Sequence, residues 1–380
     1  MKVIVGCDPL LSPLTGIGHY TKNLILGLQN HPDIEEVKLY AHGKFFGNDL
    51  LSPERSHGTE ALGLFQRSRA RLALSSYAVR AYGLIEPKIT AHKLSRLKDH
   101  VFHAPNFLLP NFSGRKVVTI HDLSTIKMPE FHPPARVELV NQAIQYAVKE
   151  ADHIITDSEF IKTELLDFYD IAESKITPTH LGVDANYHSR SEQECYATLA
   201  KYDLSFKDYL LCVSTIEPRK NIKRLLAAYQ LYRQANPGGP RLVLAGDPGW
   251  NSHEEHRLIQ QLASTGQVKY LGYVEQSHLP SLMAGARVFL FPSLYEGFGL
   301  PVAEAIRSGV PVLTSRDSAM QEFAGDDAVL VDPLSVDDIA AGIELVLDYR
   351  FEDQSIISLR KKREFDWQQM VREVVEVYFQ

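Results

Sequence analysis

A repeated alternation of short apolar segments with segments of helical length most constrains the fold of this 380-residue chain. Four apolar segments in the first half have the length and composition of buried strands, at residues 3–5, 37–40, 117–120 and 153–156. Six more follow in the second half, at residues 209–213, 242–245, 268–271, 288–291, 310–313 and 328–331. Strands that alternate with helices predict parallel sheets covered by helices, so we expect an α/β fold.

The length of the chain predicts two domains, because it exceeds the size of one typical hydrophobic core. The polar segment 182–205 is the expected connection, and we place the domains at 1–187 and 188–362. Residues 363–380 predict a final amphipathic helix, which either returns to the first domain or caps the second. Open parallel sheets bind ligands beyond the carboxyl ends of their strands, so we expect an active site in a cleft between the two domains.

Composition and charge narrow the possible functions. The chain is 44% hydrophobic and 23% charged, which is ordinary for a soluble globular protein, and its net charge of −7 gives no reason to expect nucleic acid as a partner. The three cysteines, Cys7, Cys195 and Cys212, lack the paired spacing of a zinc or redox site and suit a reducing compartment. No signal peptide or membrane-spanning segment is recognisable, so we expect a cytoplasmic protein. No cluster of metal ligands is visible in the sequence either, so we expect no metal or other cofactor.

One segment departs from the acidic average of the chain. Residues 61–100 contain eight basic and two acidic side chains, a formal charge of +6, interleaved with apolar residues. This pattern predicts helices with a basic face that could contact anionic lipid headgroups or a lipid diphosphate, as a peripheral membrane contact. A solvated helix face explains the pattern equally well.

Two carboxylates, Glu296 and Glu304, flank a glycine-rich entry to a predicted helix. Gly297 and Gly299 would leave the backbone accessible, and Pro301 suits the first helical position. The unpaired amides and positive dipole end of a helix N-terminus favour a diphosphate, and Glu296 would be free to accept hydrogen bonds from sugar hydroxyls. The alternative is that Glu304, in the first helical turn, only stabilises the helix.

A second motif places two adjacent cations between a predicted strand and a predicted helix. Glu217, Pro218, Arg219, Lys220 and Asn221 follow the strand and precede the helix. Arg219 could bind phosphate in bidentate fashion, and Lys220 could act as a compact point charge. Surface cations near helix starts are also commonly just solvated.

Gly16 and Gly18 follow the first predicted strand and open a helix, which suggests a dinucleotide-binding loop. The third glycine of that fingerprint is replaced by Thr21, and the second strand ends without the acidic residue that would bind a ribose. A nicotinamide cofactor is therefore disfavoured. Tight packing around a turn is an alternative role for both glycines.

Polar side chains also follow strands of the first half. His121 and Asp122 stand directly after a predicted strand, where an imidazole could hydrogen-bond a sugar or support developing charge. A simple turn is the alternative. His103 is a second candidate of lower rank, and Ser158 is expected to cap a helix rather than bind a ligand.

The segment 292–301, with sequence PSLYEGFGLP, resembles the signature of retaining glycosyltransferases of family 4, which have the two-domain GT-B fold. The Glu-Pro-Arg-Lys segment at 217–220 is similar to a second motif of that family. The resemblance implies two Rossmann-like domains facing across a cleft, with a C-terminal helix that crosses back to the N-terminal domain. It also implies transfer of a sugar from a nucleotide-sugar donor. Fixed cations and backbone amides could stabilise the charge on the departing phosphate, so we expect no metal.

The same resemblance assigns roles to residues of this chain. The donor diphosphate would be held by Arg219, Lys220, Gly299 and Leu300, the ribose by Glu304, and the donor sugar by Glu296, Gly297 and Phe298, with His121 and Glu296 as catalytic residues and Gly16 and Gly18 in a loop across the cleft. Many relatives carry a further phosphate-binding arginine where this chain has Ser214, and Arg219 is the candidate to compensate.

The sequence around residues 214–221 resembles members that transfer mannose or a related sugar from GDP to bacterial surface glycans. GDP-mannose is therefore the expected donor and a glycan or lipid-linked saccharide the expected acceptor, with UDP and dTDP sugars left open. Two other functions fit the same fold: a sugar-nucleotide epimerase, and a nucleotide-sugar-binding protein without transfer activity.

Overall fold

The computed structural model describes residues 1–11, 14–51, 90, 92–348 and 365–380. Within these ranges the chain forms two sheets connected by helices. The strands of the first sheet are β1 (Lys2–Gly6), β2 (Glu36–Ala41), β3 (Lys44–Phe46), β4 (Val101–Ala104), β5 (Arg115–Ile120), β6 (His153–Thr156) and β7 (Ile176–Pro178). Those of the second sheet are β8 (Tyr209–Val213), β9 (Arg241–Ala245), β10 (Val268–Tyr270), β11 (Val288–Phe291), β12 (Val312–Ser315) and β13 (Ala328–Val331). The helices are α1 (Gly16–Gln29), α2 (Ser124–Lys127), α3 (Pro134–Glu150), α4 (Glu159–Phe168), α5 (Glu192–Lys201), α6 (Ile222–Ala235), α7 (His253–Ser264), α8 (Leu279–Gly285), α9 (Leu300–Arg307), α10 (Ala319–Ala324), α11 (Val336–Asp348) and α12 (Trp367–Phe379).

The strand order is β3-β2-β1-β4-β5-β6-β7 in the first sheet and β10-β9-β8-β11-β12-β13 in the second. All neighbouring strands are parallel except β2 and β3. The central strand β11 is buried along its whole length, which explains its continuous apolar sequence. Because parallel strands point the same way, the loops that follow them lie at one edge of each sheet.

The predicted α/β fold class is confirmed, and each of the ten predicted strands has a counterpart. The strand predicted at 310–313 is shifted, since β12 spans Val312–Ser315. The strand starts later than predicted because residues 309 and 310 still cap the C-terminal end of α9. Gly309 has a φ of 66°, and the amide of Val310 donates to the carbonyl of Ala305 at 3.0 Å. Three strands lack a predicted counterpart, because β3 and β7 have only three residues and β4 contains the buried His103.

The C-terminal helix α12 crosses back to the N-terminal sheet, as the resemblance implied, and does not merely cap the second domain. The Cβ that Gly27 of α1 lacks would lie 2.4 Å from Cγ2 of Val371, so the two helices are in close contact. The Tyr378 hydroxyl lies 2.5 Å from Nδ1 of His103, and Arg115 donates to the Val377 carbonyl at 3.0 Å. This contact explains why His103 is buried in the fold rather than exposed to the cleft.

The predicted boundary at 187/188 falls in the connection between β7 and α5. The boundary at 362/363 lies outside the described residues, as does the basic segment 61–100 except for residues 90 and 92–100. Among the helices in the described ranges, none has both the length and the apolar character that spanning a bilayer requires.

Candidate active site between the two sheets

The two motifs singled out in the sequence meet at the carboxyl edge of the second sheet. β8 and β11 are neighbours, so the loops that follow them lie side by side. The Leu294 amide donates to the Arg219 carbonyl at 2.9 Å, and the Asn221 side chain donates to the Pro292 carbonyl at 2.9 Å. These bonds fix the cation loop against the glycine-rich loop.

A buried ion cluster joins the side chains of the two loops. Glu296, which is 8% exposed, accepts from Arg219 Nη1 at 3.0 Å and from Lys220 Nζ at 2.6 Å. Ser293 donates to the same carboxylate at 2.7 Å, and Glu217 pairs with Arg219 Nη2 at 2.9 Å. The expectation that Glu296 stands free in the loop is therefore wrong, because both cations hold its carboxylate.

The electrostatics of the cluster keep its acid ionised. Burial alone would raise the pKa of Glu296, but the charges of Arg219 and Lys220 outweigh burial and lower the pKa to about 2. Burial and the neighbouring Arg219 charge lower the pKa of Lys220 from its usual value. Glu296 thus remains a carboxylate across the physiological pH range and fixes the positions of two cationic donors.

The N-terminus of α9 lies beside this cluster. Gly299 precedes the helix with a φ of 98°, a left-handed conformation that side chains disfavour, and a Cβ there would lie 2.5 Å from Met320. The helix begins at Leu300, so Pro301 is its second residue rather than its first. The first turn consequently contains no acidic residue, and Glu304 lies beyond it. The interpretation of Glu304 as a first-turn helix stabiliser is therefore wrong.

Glu304 is only partly exposed and lies apart from the two cations. The Tyr187 hydroxyl donates a hydrogen bond to its carboxylate, and Asp184 lies nearby. Burial raises the pKa of Glu304 to about 8, and the hydrogen bond from Tyr187 opposes that shift only in part. A carboxyl with this pKa is largely protonated near neutral pH, and hydrogen-bond donors that approach it would favour its charged form.

The loop that contains Gly297 lies in close contact with the N-terminal domain. A Cβ on Gly297 would lie 1.7 Å from the carbonyl oxygen of His121. The Gly297 carbonyl accepts from Ser158 Oγ at 2.9 Å, while Ser158 also caps α4 as predicted. Glycine at 297 is thus required by protein contacts. The Phe298 side chain is 3% exposed and stacks on Phe323 at 4.5 Å, so only its backbone can face a sugar.

His121 lies at this contact with both ring nitrogens engaged. Nδ1 is 2.8 Å from Asp157, and Nε2 is 2.9 Å from the Pro105 carbonyl oxygen. Burial opposes protonation, but the Asp157 charge and these two acceptors raise the pKa of His121 above its usual value. Asp157 was missed in the sequence, although it follows β6 directly at the same carboxyl edge.

The glycine loop at the start of α1 faces the second domain. A Cβ on Gly16 would lie 3.7 Å from Cδ1 of Leu300, so the loop lies against the N-terminus of α9. Gly18 is buried instead, because a Cβ there would lie 2.9 Å from Leu14. Gly16 therefore lies at the cleft, whereas Gly18 allows tight packing of the loop.

Further hydrogen bonds join the two domains at other points. Glu322 of α10 accepts from the amides of Glu159 and Phe160 at 3.0 Å each, at the start of α4. The Tyr295 hydroxyl donates to Glu164 at 2.5 Å. These pairings join residues more than 130 positions apart in sequence, which is why no local pattern indicates them.

Comparisons with known proteins agree with this architecture. The family described as Glycosyltransferase Family 4 matches residues 16–187, and the family described as Glycosyl transferases group 1 matches residues 203–363. The chain is 36% identical to O-antigen chain mannosyltransferase B of Escherichia coli over 380 residues, which covers 100% of this chain and 99% of that protein. It is 26% identical to the serotype-specific mannosyltransferase WbdA of Escherichia coli, over 92% of this chain but only 43% of WbdA.

Solved structures show the same fold at low identity. Sucrose-phosphate synthase from Thermosynechococcus elongatus superposes with a TM-score of 0.71 at 17% identity, over 100% of this chain and 98% of that one. WaaG, a glycosyltransferase involved in lipopolysaccharide biosynthesis, has a TM-score of 0.69 at 13% identity, with 99% of both chains covered. The two sheets with their crossing helix, the family matches and the full-length relative establish that this chain is a glycosyltransferase of family 4 with the GT-B fold.

Proposed function

We propose that this protein is a retaining mannosyltransferase that transfers mannose from GDP-mannose to a glycan or lipid-linked saccharide. The observation that carries the proposal is the buried cluster of Arg219, Lys220 and Glu296 beside the N-terminus of α9. Similarity to a mannosyltransferase named for the O-antigen chain supports mannose as the sugar. Our proposal includes no metal cofactor, because two cations and helix amides supply positive charge at the diphosphate.

The donor would lie along the carboxyl edge of the second sheet. Arg219, Lys220 and the amides of Gly299 and Leu300 hold the diphosphate in this proposal, with Arg219 taking the place of the family arginine replaced by Ser214. Glu304 accepts hydrogen bonds from the ribose hydroxyls. The donor sugar is bound by the Glu296 carboxylate and by the backbone of Gly297 and Phe298.

Catalysis in this arrangement is electrostatic. When the sugar–phosphate bond breaks, positive charge grows on the sugar and negative charge on the departing diphosphate. Fixed cations stabilise that separation more strongly in the transition state than before it. Because Glu296 already orients Arg219 and Lys220, little reorganisation is needed during the reaction.

For retention of configuration, we propose that the acceptor hydroxyl attacks the face that the diphosphate vacates and that a phosphate oxygen takes its proton. Both ring nitrogens of His121 are engaged, so we assign it support of charge and of the contact with Gly297 rather than proton transfer. Contact of segment 61–100 with a membrane stays a prediction.

The test is product analysis with GDP-mannose, UDP-glucose and dTDP-rhamnose, each with and without mannoside acceptors. We expect GDP release that depends on acceptor, together with an α-mannoside product identified by NMR. A solved relative from Anabaena, HepE, was crystallised with UDP and glucose, so turnover of UDP-glucose alone would replace the proposed donor. Interconversion of donors without acceptor would indicate an epimerase, and binding without nucleotide release would indicate a protein that lacks transfer activity.

Glu304 predicts a pH effect on nucleotide binding. Its pKa of about 8 means that it is largely protonated at pH 7.5, while ribose hydroxyls would favour the carboxylate. Binding of GDP should therefore release a fraction of a proton, and affinity should increase as pH rises through 8. Calorimetry at pH 7.5 in buffers of different ionisation enthalpy measures the release.

The control is Glu304→Gln, which retains the side-chain shape but cannot titrate. Its proton release should approach zero. In the free protein, the raised pKa stabilises the fold at low pH, and that contribution is lost as pH rises from about 4.5 through 8. Equal proton release by the variant and the natural protein would contradict the ribose assignment.

A further inference from the structure

His132 is a buried residue near the donor site to which the donor site itself gives no role. It lies between a 3-10 turn (Pro129–Phe131) and α3 and is 5% exposed. Among the described residues, neither of its ring nitrogens has a hydrogen-bond partner. Buried polar groups are nearly always hydrogen-bonded, so two unpartnered nitrogens on one buried ring indicate a ligand or water that they bind.

The surroundings of His132 locate it in the cleft. Its pKa lies below the usual value because of burial first and then the charges of Arg136 and Arg219, while Asp122 and Glu130 act in the opposite direction. Arg219 follows β8 and Asp122 follows β5, so the imidazole lies between the carboxyl edges of the two sheets. The lowered pKa leaves the ring neutral at pH 7, with one N–H donor and one acceptor nitrogen.

Trp250 completes this cluster from the second domain. Its Nε1 donates to the Phe131 carbonyl at 2.6 Å, and its ring centroid lies 5.8 Å from that of His132. The guanidinium of Arg136 lies over the indole at 5.4 Å. The loop that contains Trp250 is tied to the loop after β8, because the Gly249 amide donates to the Ile216 carbonyl at 2.9 Å. The cluster is thus fixed to the same loop as the donor cations.

We propose that His132, Trp250 and Arg136 form the binding subsite for the sugar of the acceptor. A sugar hydroxyl both donates and accepts a hydrogen bond, which matches the two free functions of a neutral imidazole. An aromatic side chain beside a small number of placed polar and charged groups is typical of sites for small ligands. Two of the three side chains come from the N-terminal domain, while the donor groups come from the loops after β8 and β11. This inference rests on the proposed function, since it names where the acceptor of that reaction binds.

The test separates acceptor binding from donor binding. In His132→Ala, the KM for methyl α-mannoside should rise about tenfold or more, the loss expected for a buried hydrogen bond, while the donor KM and the GDP affinity stay within about twofold. His132→Gln, whose amide can replace one ring nitrogen, should recover part of the loss. His31→Ala is the matched control, because His31 lies in the loop between α1 and β2, at the opposite edge of the sheet, and should leave both KM values unchanged.

Ligand-observed NMR provides a readout independent of turnover. With GDP at saturation, methyl α-mannoside and methyl β-N-acetylglucosaminide are titrated into the natural protein and into His132→Ala. Saccharide binding that weakens in the variant supports the subsite even if GDP-mannose proves not to be the donor, so failure of the proposed function is distinguishable. An unchanged acceptor KM, a rise in donor KM instead, or no saccharide binding by the natural protein would overturn the proposal.

Discussion

Replacing Lys220 by alanine should lower kcat by about 10²–10³, the loss associated with removal of one transition-state donor, or roughly 2.7–4 kcal/mol. Lys220 Nζ lies 2.6 Å from Glu296 and would contact the diphosphate as its negative charge grows. Because that interaction strengthens in the transition state, kcat should fall more than donor KM rises. Steady-state kinetics with GDP-mannose measure both quantities.

The fold should survive this substitution, since Glu296 keeps its contacts with Arg219 and Ser293. Lys223→Ala is the matched control. Lys223 lies three residues later in the chain, on α6, and pairs at 2.8 Å with Glu254 on the exposed surface. Its loss should leave kcat within about twofold, as expected for an exposed ion pair. A Lys220→Ala protein with natural kcat would remove this lysine from the donor site.

The α/β fold was predictable from the sequence because parallel strands are buried on both faces. Runs such as β8 and β11 are apolar throughout, and burial on both sides demands that composition. Short strands escape the pattern: β3 has three residues and is largely exposed. β4 was not predicted because it contains His103, a polar residue. The hydrogen bonds that allow its ring to be buried come from Thr119 and Tyr378, which are distant in sequence.

The site was predictable at the level of which loops meet, but not of which atoms pair. Arg219, Lys220 and Glu296 come together because their loops follow adjacent strands. That Glu296 is already bound by both cations depends on side-chain directions that sequence spacing does not determine. The partner of His121, Asp157, is 36 residues away, and that of Trp250, Phe131, is 119 residues away.

Gly297→Ala should reduce kcat by about 10² or more, with each domain still folded. The added methyl carbon would lie 1.7 Å from the His121 carbonyl oxygen, which belongs to the backbone and cannot turn aside as a flexible side chain can. The loop and the edge of β5 must therefore separate. That movement displaces Glu296 and its two cations from the cleft, and a displacement of about 1 Å in an active site can cost about 10²-fold in rate.

Gly238→Ala is the matched control, because a Cβ there meets no atom within 4 Å and should leave kcat unchanged. Kinetics should be combined with small-angle scattering, in which Gly297→Ala is expected to show a larger radius of gyration than the control. Far-UV circular dichroism should be the same for both, since the steric conflict lies between the domains and not within either core. If Gly297→Ala scatters like the control and turns over at the natural rate, the close approach of the two domains at Gly297 is not the arrangement in which the sugar is transferred.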